Sequence, residues 1–239
     1  MLLEADLIAA GILDEPAGRD LKHVRVVYRA GDIGEAAAAL LTAQLRARGV
    51  SVVTRVVPRG APLNAVAEAV RDPSYTDVMV LWLRPADLAA LDGTHAPSNP
   101  IYFSGVMGGL DEAPLPPGWR EHAQMAYPVD LPDRRRVRVD YALGWFRIRR
   151  IPVVAEKVQV DTYLACGLLT ETVKHMVDAF IPDYLIERLE DTVEHRVVTG
   201  YYTRLTLGPN QRFASKGGFL VHYAPGTQRL VPGGDWMTP

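Results

Sequence analysis

From residue 23 onward the apolar positions fall into short continuous runs separated by stretches of helical period. Val24-Arg25-Val26-Val27-Tyr28 is a β-branched run followed by the turn Arg29-Ala30-Gly31, and it predicts a largely buried strand. Asp32 then stands where a helix N-cap is expected, with Glu35 at the capping-box position, and helix formers continue from Ala36 to Arg48 until Gly49 ends them. The alternation goes on. Val50 to Val57 predicts a second strand, and Pro58-Arg59-Gly60-Ala61-Pro62 leads into a helix with Leu63, Val66, Ala67 and Val70 on one face. A third strand is predicted over Asp77 to Leu83, a short helix near Ala86 to Leu91, a fourth strand at Ile101 to Ser104 and a fifth at Gln124 to Tyr127, with a Gly/Pro-rich stretch over 105 to 118. Apolar strands alternating with amphipathic helices belong to the α/β class, because right-handed crossovers deposit helices on both faces of a parallel sheet. The expectation is a doubly wound α/β lobe over 23–131, preceded by a lead-in over 1–22.

The pattern then changes. Residues 132–199 read as a helical segment with three helices: one carrying Tyr141, Leu143, Trp145, Phe146 and Ile148, a second from about Glu156 to Phe180, and a third from Pro182 to about His195. Over 200–239, short extended segments at Arg204 to Leu207, Gly218 to Tyr223 and Gln228 to Val231 are separated by Gly/Pro turns, which predicts C-terminal strands completing the sheet. No internal repeat of fixed period is present.

Composition bounds the function classes. The chain has 239 residues, 48% hydrophobic and 23% charged, enough to bury a substantial core. Its formal charge of −2 builds in no global attraction to nucleic acid or to an anionic membrane. Cys166 is the single cysteine, which excludes an intrachain disulfide and a multi-cysteine metal site. No window reaches the roughly 18–20 apolar residues of a membrane span, so no membrane insertion is expected. The opening Met1-Leu2-Leu3-Glu4-Ala5-Asp6 carries acids where a signal peptide carries a basic stretch and a long apolar run, so either export is absent or a signal preceded this sequence.

Three stretches together are similar to the type I periplasmic solute-binding proteins of branched-chain amino-acid and amide ABC transporters. The first is Val24-Arg25-Val26-Val27-Tyr28-Arg29-Ala30-Gly31-Asp32-Ile33-Gly34, which resembles the opening strand of that family's second lobe. The second, Gln159 to Val173, contains Tyr163-Leu164-Ala165 and resembles the family's "Tyr-x-Ala" helix. The third, Gly200 to Gly218, resembles its closing hairpin and is the most specific of the three. The resemblance runs from about residue 20 to the end. It implies a ligand-binding lobe for a small organic solute, a periplasmic location and no enzyme activity. It also implies that the first half of lobe one is missing, so that the chain is either a fragment or a half-receptor. The second helix packs on that lobe in the family, so a missing first lobe, a homodimer or a partner chain is expected over the 156–180 helix. The alternative function is a half-receptor that acts as a structural, assembly or sensor partner after losing its pocket.

In open α/β sheets ligands sit beyond the carboxyl ends of the strands. Those loops hold the candidate ligand-binding residues Arg29, Asp32, Arg84, Ser104 and Met107. The family's amino-acid binders resemble one another in an aromatic before the first-loop glycine and in a carboxylate after a later strand. Here Ile33 precedes Gly34, and Ser104-Gly105-Val106-Met107 carries no acid, which argues against a free α-amino acid. Arg84 has a guanidinium fork suited to a carboxylate, although a solvated surface role explains such an arginine more often. Capping alone explains Asp32 and Glu35.

Gly31-Asp32-Ile33-Gly34 lacks the spacing of a dinucleotide fingerprint, so no cofactor is expected. The six histidines show no i, i+4 pair, and no catalytic constellation or metal site is predicted. Cys166 reads as a small buried hydrophobe in mid-helix. Arginines 134, 135, 136, 138, 147, 149 and 150 form the one charge cluster, read as a solvated helix and its flanks. Tyr201, Tyr202 and Phe213 are expected to pack the terminal strands onto the sheet.

Overall fold

The computed structural model describes residues 1–14, 23–71, 76–93, 96–176, 180–195, 200–203, 205–208 and 213–239. Seven strands are present among them: β1 (His23–Arg29), β2 (Ser51–Val57), β3 (Val78–Trp82), β4 (Ile101–Ser104), β5 (Ala123–Tyr127), β6 (Phe219–Tyr223) and β7 (Leu230–Pro232). They form one sheet in the order β2-β1-β3-β4-β5-β6-β7. The first five are parallel, and β6 and β7 extend the β5 edge antiparallel. The helices between them are α2 (Gly34–Ala47), α3 (Leu63–Arg71), α4 (Pro85–Ala89), α5 (Gly105–Gly108) and α6 (Pro117–Arg120), with α1 (Leu2–Leu13) ahead of β1.

The chain divides into two compact units, Met1–Pro128 with Gly217–Pro239, and Val129–Lys216. In the first, the side chains of each strand alternate between faces. Val24, Val26, Val78, Val80, Trp82 and Tyr102 join a core cluster with Leu7, Ile8 and Ile12 of α1 and Leu41 and Leu45 of α2. Val27, Met79, Leu81, Phe103 and Met125 are buried as well, on the alternate strand positions. The fold is thus the expected α/β arrangement. The element that strand periodicity did not show is α1, whose Ala5, Leu7, Ile8, Ala9 and Ile12 are all buried.

The second unit holds α7 (Pro132–Arg149), α8 (Glu156–Lys174) and α9 (Pro182–His195). Helix α8 packs on both α7 and α9. The second helix was expected to reach Phe180; it ends at Lys174, and residues 177–179 lie outside the described set. Leu164, Val193 and Leu205 form the small core, with Leu168, Leu189, Tyr202 and Leu207 packed against it.

Two expectations are corrected here. Residues 205–207 are not a strand: among the described residues only Thr206 of this stretch finds a backbone acceptor, the Ala214 carbonyl (3.0 Å), and Arg204 lies outside the described residues. Tyr201 and Tyr202 do not pack terminal strands. The Tyr201 hydroxyl donates to Glu156 (2.7 Å) and the Tyr202 hydroxyl to Asp161 (3.1 Å), both on α8, while Phe213 is exposed. Arg138 donates to the Tyr202 carbonyl (2.8 Å) and pairs with the fully buried Asp130 (3.0 Å). Arg135 stacks on the Tyr201 ring at 4.6 Å. Two of the seven clustered arginines therefore hold the helical unit together.

Candidate functional site

The carboxyl ends of β1, β3 and β4 lie side by side, which brings the loops holding the five candidate residues to one rim of the sheet. Two glycines allow the close approach. A Cβ on Gly34 would stand 2.7 Å from the Trp82 Cβ and 3.0 Å from the Met107 sulfur, so only glycine lets α2 start against β3 and α5. At Gly105 a Cβ would come 2.5 Å from the Ala126 carbonyl oxygen.

Arg29 is committed within the fold. Its Nε donates to both Asp87 oxygens (3.1 Å each) and its Nη2 to Oδ1 (2.7 Å), while Nη1 donates to the carbonyls of Ala61 (2.9 Å) and Pro58 (3.4 Å). The pair is largely buried, with side chains 14% and 5% exposed.

Ser104 is committed too. Its hydroxyl donates to Glu4 Oε2 (2.8 Å) and accepts from the Met107 N–H (3.0 Å), and Glu4 Oε1 accepts from the Val106 N–H (3.0 Å). The sequence reading found no acid in this loop; the structure supplies one from α1, about a hundred residues away in the chain. No signal in the chain links Glu4 to Ser104, apart from its standing, with Asp6, in a largely apolar helix. Burial pushes the Glu4 carboxyl above its ordinary value of 4.5, against the hydrogen bonds that lower it. Met107 is buried beside Gly34 and belongs to the core rather than to a binding surface.

Asp32 and Arg84 remain at the rim, joined by two hydrogen bonds of 2.7 and 2.6 Å. Arg84 is exposed at 53% of its side chain and Asp32 at 13%, and Arg84 Nη1 makes no hydrogen bond among the described residues. The bond from Arg84 holds the Asp32 carboxyl below its ordinary range. The capping expectation is corrected. Ile33 is the N-cap of α2, without a side-chain cap, and Glu35 instead accepts from the Gly31 N–H (2.8 Å). The turn at Gly31 (φ +70°) carries Asp32 away from the helix end toward Arg84. Ile33 and Val106 stand exposed on the two loops that meet at Gly34 and Met107.

A separate groove of about 570 Å³ lies on the helical unit, between α7 and α8, lined by Trp145, Phe146, Val158, Tyr163 and Cys166 among others. Cys166 is exposed there, contrary to the sequence reading, because it faces away from the Leu164 side of α8. No group of three or more metal-binding side chains converges among the described residues. Among those residues no helix is long and apolar enough to cross a membrane.

No family model matches the chain, and no curated protein does. Solved structures do match. A protein assigned to branched-chain amino acid ABC transport in Rhodospirillum rubrum superimposes with a TM-score of 0.66 at 20% identity, covering 96% of this chain and 65% of its own. A fatty acid ABC transporter substrate-binding protein from Thermomonospora curvata gives 0.65 at 16%, over 99% of this chain and 63% of its own. A leucine-binding protein from Thermotoga maritima gives 0.63 at 12%, over 99% and 65%. Likeness at this identity shows the fold: the chain has the fold of a large part of these structures. It spans about 65% of the length of these structures.

Proposed function

We propose that the α/β unit is the solute-contacting lobe of an ABC-transporter-type binding protein, working in the periplasm and taking a small organic solute at the rim of β1, β3 and β4. The Asp32–Arg84 pair, its Arg84 exposed and flanked by Ile33 and Val106, carries the reading. Arg84 keeps Nη1 available for an oxygen acceptor on the solute, Asp32 fixes the fork, and the two aliphatic side chains offer an apolar wall. The solute is held when a second lobe closes over this rim. No bond is made or broken in that cycle, so the protein is read as a receptor and not as an enzyme. Of the five expected ligand contacts, Asp32 and Arg84 are kept, while Arg29, Ser104 and Met107 become supports.

The internal commitment of Arg29 and Ser104 favours one further reading, a half-receptor that keeps the fold as an assembly or sensor partner. A thermal-shift screen against short carboxylates, amides, alcohols, fatty acids and amino acids separates the two. A ligand at a hundred times its Kd adds about 2.7 kcal/mol, on the order of 5–10 °C for a chain of this size. A shift in the parent that disappears in Arg84→Ala supports the solute site. Silence across all five classes refutes it and leaves the assembly reading.

A further inference from the structure

We infer that the helical unit is a self-association surface, pairing α7 of one copy with α9 of a second copy about a two-fold axis. This is independent of the solute reading and rests on charge. Helix α7 carries six arginines and two aspartates, a net of +4, and α9 carries five carboxylates and one arginine, a net of −4 with His195 neutral.

The charges fall on defined faces. On α7, Arg134, Val137, Tyr141, Trp145, Ile148 and Arg149 recur at three- and four-residue spacing and share one side of the helix. That side is turned from the packed residues Arg135, Val139, Ala142 and Phe146, except at Trp145, whose ring also meets Tyr163 of α8. Val137, Tyr141 and Ile148 are 70%, 71% and 81% exposed, an apolar stripe with a cation at each end. Neither Arg134 nor Arg149 has a carboxylate partner among the described residues: Arg147 is paired with Asp140 (2.9 Å), Arg138 with Asp130, and Arg149 rests over the Trp145 ring.

On α9, Asp183, Glu187, Glu190 and Glu194 follow the spacing i, i+4, i+7, i+11 and form one acidic stripe. None of the four is paired with a cation among the described residues, whereas Asp191, off the stripe, holds Arg188 and His195. Phe180, Ile181 and Ile186 stand exposed at the start of this helix. The basic stripe and the acidic stripe thus each carry apolar side chains suited to the other.

Within one chain α8 packs between α7 and α9. A dyad satisfies both stripes at once, since α7 meets the partner's α9 while α9 meets the partner's α7, the reciprocal contact of an isologous dimer. The exposed residues of α8 from Val158 to Val173 carry no charge, and that face lies toward the axis in such a pairing. A single foreign partner would have to match a basic and an acidic face together; a second copy does so by construction.

Light scattering and sedimentation velocity on the 239-residue chain provide the test. The expected result is a dimer at tens of micromolar that dissociates as salt is raised, because screening shortens the reach of the paired charges. Arg134→Glu with Arg149→Glu, and separately Glu187→Lys with Glu194→Lys, are each expected to be monomeric, with circular dichroism like the parent and urea midpoints that, unlike the parent's, do not rise with protein concentration. Mixed in equal amounts they are expected to form a one-to-one heterodimer, since the lysines introduced on α9 of the second copy then meet the glutamates introduced on α7 of the first, while the second copy's unaltered α7 meets the first copy's unaltered α9. A parent that stays monomeric overturns the proposal. So does a parent dimer that survives both reversals, or folded variants that fail to pair on mixing.

Discussion

Replacing Arg29 by alanine tests the distinction between a support and a ligand contact. The change removes the cation from Asp87, which is 5% exposed, and takes a donor from the carbonyls of Ala61 and Pro58. Breaking a buried ion pair from one side costs about 3–5 kcal/mol, because the remaining charge stays desolvated. Arg29 lies at a rim and is itself 14% exposed, so water replaces part of what is lost and the lower end, about 3 kcal/mol, is expected. Against a total stability of about 5–15 kcal/mol this is severe but not fatal. At an m-value of about 1–3 kcal/mol/M it lowers the urea midpoint by about 1 M or more.

Because the chain has two units, unfolding of the sheet is followed separately. Trp82, Trp119 and Trp236 belong to the α/β unit and Trp145 to the helical one, so fluorescence in a Trp145→Phe background reports the α/β unit. The double change Arg29→Met with Asp87→Leu removes both charges and is expected to recover most of the loss. A cost below about 1 kcal/mol for Arg29→Ala, or a double variant no more stable than the single, would refute the clamp.

The other expectations are shorter. Arg84→Ala breaks a surface pair and costs about 0–1 kcal/mol in the same assay, while removing any ligand-induced thermal shift. Glu4 has a raised carboxyl pKa, so the stability it contributes is fully present below 4.5 and is lost as pH rises through its folded value. The unfolding free energy of the parent relative to Glu4→Gln should therefore increase as pH falls from neutrality toward 4.5, and a flat or opposite trend would count against burial as the cause. Gly34→Ala forces a methyl against Trp82 and Met107 and is expected to cost about 1–3 kcal/mol by urea unfolding. Tyr202→Phe removes a hydroxyl shared with Asp161 and Lys157 and should lower the stability of the helical unit by about 1 kcal/mol, read from Trp145 fluorescence.

The five parallel strands were legible because each is a short apolar run bounded by turn residues, and burial on both faces of the sheet demands such runs. Helix α1 was not, for a physical reason. It is covered nearly all round, so Leu2–Leu13 shows neither a polar stripe nor an alternation, and its one buried carboxylate reads as a surface residue until Ser104 is seen beside it. Cys166 failed differently. It has apolar neighbours in the chain, but helix spacing puts it on the opposite side from Leu164 and Leu168, which face the small core. Asp32 carried a good capping signal, and a partner fifty-two residues away outcompeted it.

The rim shows why strand ends could be located from sequence while their chemistry could not. Arginines end β1 and follow β3 in nearly the same way, yet they occupy different places in the strand order. Strand β1 lies between β2 and β3, so Arg29 is flanked by the loop after β2, which presents the Pro58 and Ala61 carbonyls, and by the start of α4, which presents Asp87. Every side of its guanidinium meets an acceptor. Strand β3 lies between β1 and β4, but the loop after β4 spends its hydroxyl and the Val106 N–H on Glu4, and Met107 turns inward. Arg84 is therefore left with Asp32 alone and one nitrogen unused. The difference between a clamp and an available donor is set by which loops the crossovers place beside each strand end, and by a helix that enters from the far end of the chain.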